Sequence, residues 1–119
     1  MNLIEQLKDL KDYFSPKIIT EVNDQYVKIA KIKGQEVPWH NHENEDELFY
    51  ILEGTLIMEI ENEPNRTMKT GDIFVVPKGI NHKVSSKHEC SIMLIETKTT
   101  KHTGEVESAI TKSIQEQSY

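Results

Sequence analysis

The spacing of apolar residues divides this chain into three parts. Near the N-terminus Leu3, Leu7, Leu10 and Phe14 recur every three to four residues, which places them on one face of a helix. Asn2 stands at a capping position, Glu5 follows it, and Ser15-Pro16 stops the run, so the pattern predicts a helix over 2–14. The middle of the chain breaks into short runs that read as strands: 18–22, 26–32, 36–42, 48–52, 55–61, 68–70, 73–76, 82–85 and 90–96. In 26–32 apolar residues occupy both parities, as in a strand covered on two sides or one carrying a bulge. Turn signals recur about every 8–12 residues, the rhythm of an all-β sandwich or barrel. Gly54 predicts a tight hairpin between 48–52 and 55–61, and the polar stretch 85–89 predicts a turn. From Lys98 onward, Ser and Thr dilute a helical spacing of Val106, Ala109, Ile110 and Ile114, so a weak helix or arm competes with a frayed tail.

Composition narrows the partners. The chain has 119 residues, enough for one domain, and a net charge of -6 with Lys and Arg scattered singly. Binding to a phosphate backbone needs many cations on one face, so nucleic acid is not an expected partner. An acidic surface disfavours anionic membranes, and no apolar run approaches the roughly 18 residues of a membrane span. The one cysteine, Cys90, excludes an intrachain disulfide and begins an apolar run, where a buried, inert thiol is expected. With no basic and apolar leader at the N-terminus, the expected location is the cytoplasm.

The candidate chemistry lies in two stretches. In Gly34 to Gly54, His40 and His42 are two residues apart, which on a strand puts both imidazoles on one face. Glu47 follows after enough residues for the chain to turn and start a neighbouring strand. In Gly71 to His82, Pro77 and Gly79 make a turn and His82 begins the next strand. Three imidazoles and a carboxylate suit a divalent transition metal: Mn, Fe, Ni, Cu or Zn. His88 and His102 lie in polar stretches and are expected at the surface. The acidic loop residues Glu43, Glu45 and Asp46 read as a solvated rim.

These two stretches resemble the two motifs of the cupin superfamily. Gly34, His40, His42, Glu47 and Gly54 match every position of the first motif; Gly71, Pro77, Gly79 and His82 match the second, with Ser86 where an asparagine is usual. The resemblance implies a double-stranded β-helix, a small jelly-roll β-barrel, spanning 1–119 as one domain. Its barrel core is expected over about 26–97, with an N-terminal helical segment at 1–16 and a C-terminal arm at 98–119. It implies one metal ion on His40, His42, Glu47 and His82, and a homodimer. In a regular strand Phe49 and Ile51 share the parity of Glu47 and would line an apolar pocket beside the ion. Trp39 would face away from the metal.

Four protein ligands on an octahedral ion leave two positions, suited to a keto acid, a sugar or a phenolic oxygen donor. No general base stands out, and no second Ser-His or Lys-Glu constellation is visible, so the catalytic residues are unknown at this level. Three classes remain: a metal-dependent isomerase, oxygenase or lyase; a module that binds or senses a small ligand without turnover; and a metal-stabilised barrel whose partner supplies the function. The fold alone does not choose among them.

Overall fold

The computed structural model describes residues 1–99. Seven strands follow one short helix: α1 (Leu3–Leu7), β1 (Lys17–Val22), β2 (Gln25–Gly34), β3 (Glu47–Glu53), β4 (Thr55–Ile60), β5 (Arg66–Lys69), β6 (Ile73–Val76) and β7 (His82–Thr97). All strand pairings are antiparallel. One path runs β1-β2-β7-β3-β6, and β5-β4 joins the first part of β7. The result is the double-stranded β-helix barrel.

The long strand β7 holds the two halves together. Its beginning, His82 to Ser85, pairs with β4, and its end, Ser91 to Thr97, pairs with β2, β3 or both. The runs 82–85 and 90–96 are therefore one strand of 16 residues rather than two with a turn between them. The stretch Lys87-His88-Glu89 is exposed where the strand passes from one sheet to the other, and exposure gives it the composition of a turn. Gly54 acts at a similar crossing. It does not close a hairpin, since β3 pairs with β6 and β7 while β4 pairs with β5 and β7. Its φ of +90° suits glycine, and a Cβ there would meet the Glu89 carbonyl oxygen at 2.8 Å.

Two apolar clusters use the two faces of β2. Ala30 and Ile32 point into the barrel with Phe49, Ile51, Leu56, Met58, Ile92 and Leu94. Val27 and Ile29 point outward and are covered by Leu7 of α1, with Leu3, Leu10 and Leu52 alongside. This explains the apolar residues on both parities, and the register also shifts between Ile32 and Gly34. Burying Leu7 contributes about 1.5–3 kcal/mol, enough to hold a helix too short to persist alone.

The helix is shorter than the spacing predicts. Asn2 caps it by accepting from the Glu5 N–H at 3.1 Å, but it ends at Leu7 rather than Phe14. Tyr13 forms a bridge with Lys31, and the Phe14 N–H donates to the Lys31 carbonyl, so Phe14 leaves the helical face and enters the barrel cluster. The segment 36–42 is also not a strand: only His40 pairs, in a single antiparallel bridge to His82. Pro38 has no N–H to offer a ladder there. The expected arm at 98–119, with His102, lies outside the described residues from position 100 onward. Among the described residues, no helix is long and apolar enough to cross a membrane.

Candidate metal centre

Three separate segments bring the candidate ligands together. Glu47 opens β3, between Val76 of β6 and Glu96 of β7. His82 opens β7. His40 is fixed beside it by two backbone hydrogen bonds, His40 N–H to the His82 carbonyl at 3.0 Å and His82 N–H to the His40 carbonyl at 2.9 Å. The His42 carbonyl accepts from the Gly79 N–H at 2.9 Å, tying the first motif to the turn of the second. His40 and His42 thus converge without sharing a strand.

One ligand atom from each of His40, His42, Glu47 and His82 lies within 4.8 Å of the others, and all four side chains are buried. Glu47 Oε1 is 3.5 Å from His42 Nε2 and 3.6 Å from His82 Nε2. Donors held about 2.0–2.2 Å from one ion stand roughly 3–3.5 Å apart at octahedral to tetrahedral angles, so these separations fit a metal. The tautomers fit as well. His40 Nδ1 lies 2.8 Å from the Pro38 carbonyl oxygen and His82 Nδ1 2.9 Å from that of Ile80. A carbonyl can only accept, so both Nδ1 atoms carry the proton and both Nε2 lone pairs are free for the centre. Among the described residues, His42 Nε2 and His82 Nε2 are buried without a hydrogen-bond partner, the condition that a bound cation would relieve.

The electrostatics prepare the same state. Burial, aided by the neighbouring His82, lowers the His40 pKa to about 4, which keeps the ring neutral near pH 7. Burial opposes charge on Glu47, but the neighbouring Glu96, His42 and His82 side chains outweigh it and hold this carboxyl well below its ordinary range. Neutral imidazoles and an ionised carboxylate are the forms that ligate.

Behind Glu47 lies a pair that inspection of the sequence missed. Glu96 is the register partner of Glu47, and Lys28 Nζ lies 2.6 Å from Glu96 Oε1, with both side chains 0% exposed. Burial, then the charge of Glu47, pushes the Glu96 carboxyl well above its ordinary value, while Lys28 pulls it back. So a Lys-Glu constellation does exist. The signal available in the sequence was a charged residue within or closing an apolar run: Lys28 between Val27 and Ile29, and Glu96 after Ile95.

A cavity of about 40 Å³ adjoins the cluster on its His40–Glu47 side. Phe49 lines it, whereas Ile51 is fully buried in the barrel cluster below. Trp39 is partly exposed at the surface, with Lys83 Nζ 5.4 Å from its ring centre. Cys90 is buried, and burial pushes its thiol up to about 11, which makes it inert. His88 is exposed on β7, away from the centre.

Fold and site together define a small jelly-roll barrel whose interior carries a four-residue cluster able to hold a metal. The chain belongs to the cupin family, for the family model Cupin_2, described as Cupin domain, matches residues 30–96. It is 35% identical over 85 residues to YdbB, an uncharacterized protein of Bacillus subtilis, covering 71% of this chain and 74% of that one. It is also 35% identical over 88 residues to the pectin degradation protein KdgF of Dickeya dadantii, covering 73% of this chain and 79% of that one. A crystal structure of a cupin-2 domain containing protein from Shewanella frigidimarina matches with a TM-score of 0.78 at 38% identity, covering 82% of this chain and 93% of that one.

Proposed function

We propose that His40, His42, Glu47 and His82 hold one divalent transition-metal ion, and that the protein is a small metal-dependent enzyme acting on a small oxygenated substrate: a keto acid, a sugar or a phenol. The observation that carries this reading is the convergence of buried ligand atoms whose nitrogens lack partners. Such an ion, when bound, supplies Lewis acidity, or redox chemistry if it is iron, manganese or copper. The chain's own residues do the rest. The carbonyls of Pro38 and Ile80 fix the orientation of two ligand rings. Phe49 and its apolar neighbours exclude water from the approach, and Ile51 supports Phe49 from below. One carboxylate among three neutral rings leaves a loaded site cationic, which favours an anionic substrate. Pectin is a polymer of acidic sugars, so the likeness to KdgF keeps sugar acids within the set.

One observation favours a second reading, a module that binds or senses a small ligand without turnover. Among the described residues lining the cavity, none besides His40 and Glu47 is titratable, so none of them is a free general base facing a bound ligand. Both readings take the protein as a homodimer and place it in the cytoplasm, where a lone, buried thiol stays reduced. A substrate screen on metal-loaded protein separates them. Turnover of a keto acid, sugar or phenol that disappears in His42→Ala supports the enzyme. Stoichiometric binding without product supports the sensor.

A further inference from the structure

The cavity beside the cluster restricts the substrate more narrowly than the cluster does. It touches the centre through His40 and Glu47, while His42 and His82 are not among its lining residues. A ligand reaching the centre through this cavity therefore passes a wall that includes Phe14, Ala30, Phe49 and Val84, with no hydroxyl, amide or charged side chain among the described residues other than the two candidate ligands. The Phe14 N–H is already committed to the Lys31 carbonyl. A sugar carries a hydroxyl on nearly every carbon, and each one buried here loses water without gaining a partner, costing at least about fivefold in affinity. Each methylene placed here gains about fourfold. The space is small, about 40 Å³ or room for roughly three waters, which suits a short aliphatic chain.

We infer that the site takes a short-chain 2-oxo acid, its carboxylate and keto oxygen toward the metal and its aliphatic tail in the cavity between Phe14, Ala30, Phe49 and Val84. This rests on the metal-site reading above and selects one member of the substrate set proposed there. The tail is the specificity element, and Ala30 and Val84 line the space it occupies.

The test is calorimetric titration of the full chain loaded with zinc, its zinc content measured first. The probes are glyoxylate, pyruvate, 2-oxobutyrate and galacturonate. Affinity should rise about fourfold with each added carbon from glyoxylate to 2-oxobutyrate. Galacturonate should bind at least about tenfold more weakly than 2-oxobutyrate. Ala30→Val, which narrows the cavity, should flatten the series while glyoxylate and zinc still bind. Val84→Ala, which widens it and does not crowd the core, should extend the rise to 2-oxopentanoate. A zinc-loaded chain that binds all the oxo acids equally, or that prefers galacturonate, overturns this inference alone. A chain that does not retain zinc overturns the metal reading and this inference with it.

Discussion

Among the described residues, the buried charged and imidazole side chains fall into two sets, and they solve the cost of burial differently. Lys28 and Glu96 bring a cation and a carboxyl to 2.6 Å, so the protein supplies both partners. The cluster of His40, His42, Glu47 and His82 brings together three imidazole rings and one anion, and leaves imidazole nitrogens without partners among the described residues. Both sets meet at Glu47, whose register partner is Glu96. The difference shows that burial of polar groups is not by itself a sign of function. The sign is convergence that the protein leaves incomplete, because an orphaned buried nitrogen costs stability until something outside the chain satisfies it.

The largest expected effect comes from opening the closed set. Lys28→Met leaves Glu96 buried beside Glu47 without its cation and should destabilise the fold by about 3–5 kcal/mol, read from urea midpoints. The loss should shrink at pH 5, where Glu96, already pushed up, takes a proton more readily. Replacing both residues, Lys28→Met with Glu96→Leu, should recover most of the loss. A near-neutral Lys28→Met would mean that the pair is not closed as described.

Next in size is the pH dependence of the open set without metal. The folded pKa of His40 is about 4 against 6.5 for an ordinary histidine. Between those values the unfolded chain binds more protons at this position than the folded one. Stability from this group is therefore present above pH 6.5 and falls as the pH drops towards 4, by up to about 3 kcal/mol. His40→Asn should lose this part of the slope, so the stability difference between variant and wild type should change between pH 7 and pH 4.5. Parallel curves would show that His40 is not held neutral by burial.

A small effect marks the boundary of the site. Trp39 is next to His40 in sequence yet outside the cluster, beneath Lys83. Trp39→Ala should cost no more than about 1 kcal/mol and leave metal affinity unchanged, as measured by competition with a chromophoric chelator. A large loss of affinity would extend the site to this residue.

The open set was legible in the sequence and the closed set was not, for a physical reason. Glycines and prolines fix local turns, so Gly34, Gly54, Pro77 and Gly79 carry the spacing of the cluster in short stretches. Pairing across the barrel has no local signal. Lys28 and Glu96 lie far apart in the chain and meet only because β2 and β7 are neighbours. The same limit explains the errors in the elements. Residues 36–42 alternate like a strand but lack a partner beyond the single bridge at His40. Gly54 has the backbone of a turn, but the turn joins two sheets and not two paired strands. Phe14 keeps the helical spacing of Leu3, Leu7 and Leu10, yet the barrel cluster claims it.

The most direct measurement is the metal content and affinity of the wild-type chain beside His42→Ala. The wild type should retain one equivalent of a transition metal after dialysis, and the loss of one ligand should weaken binding by more than about a hundredfold with the fold intact. A wild-type chain that takes up no metal at any tested concentration, or equal binding by the two proteins, would contradict the account.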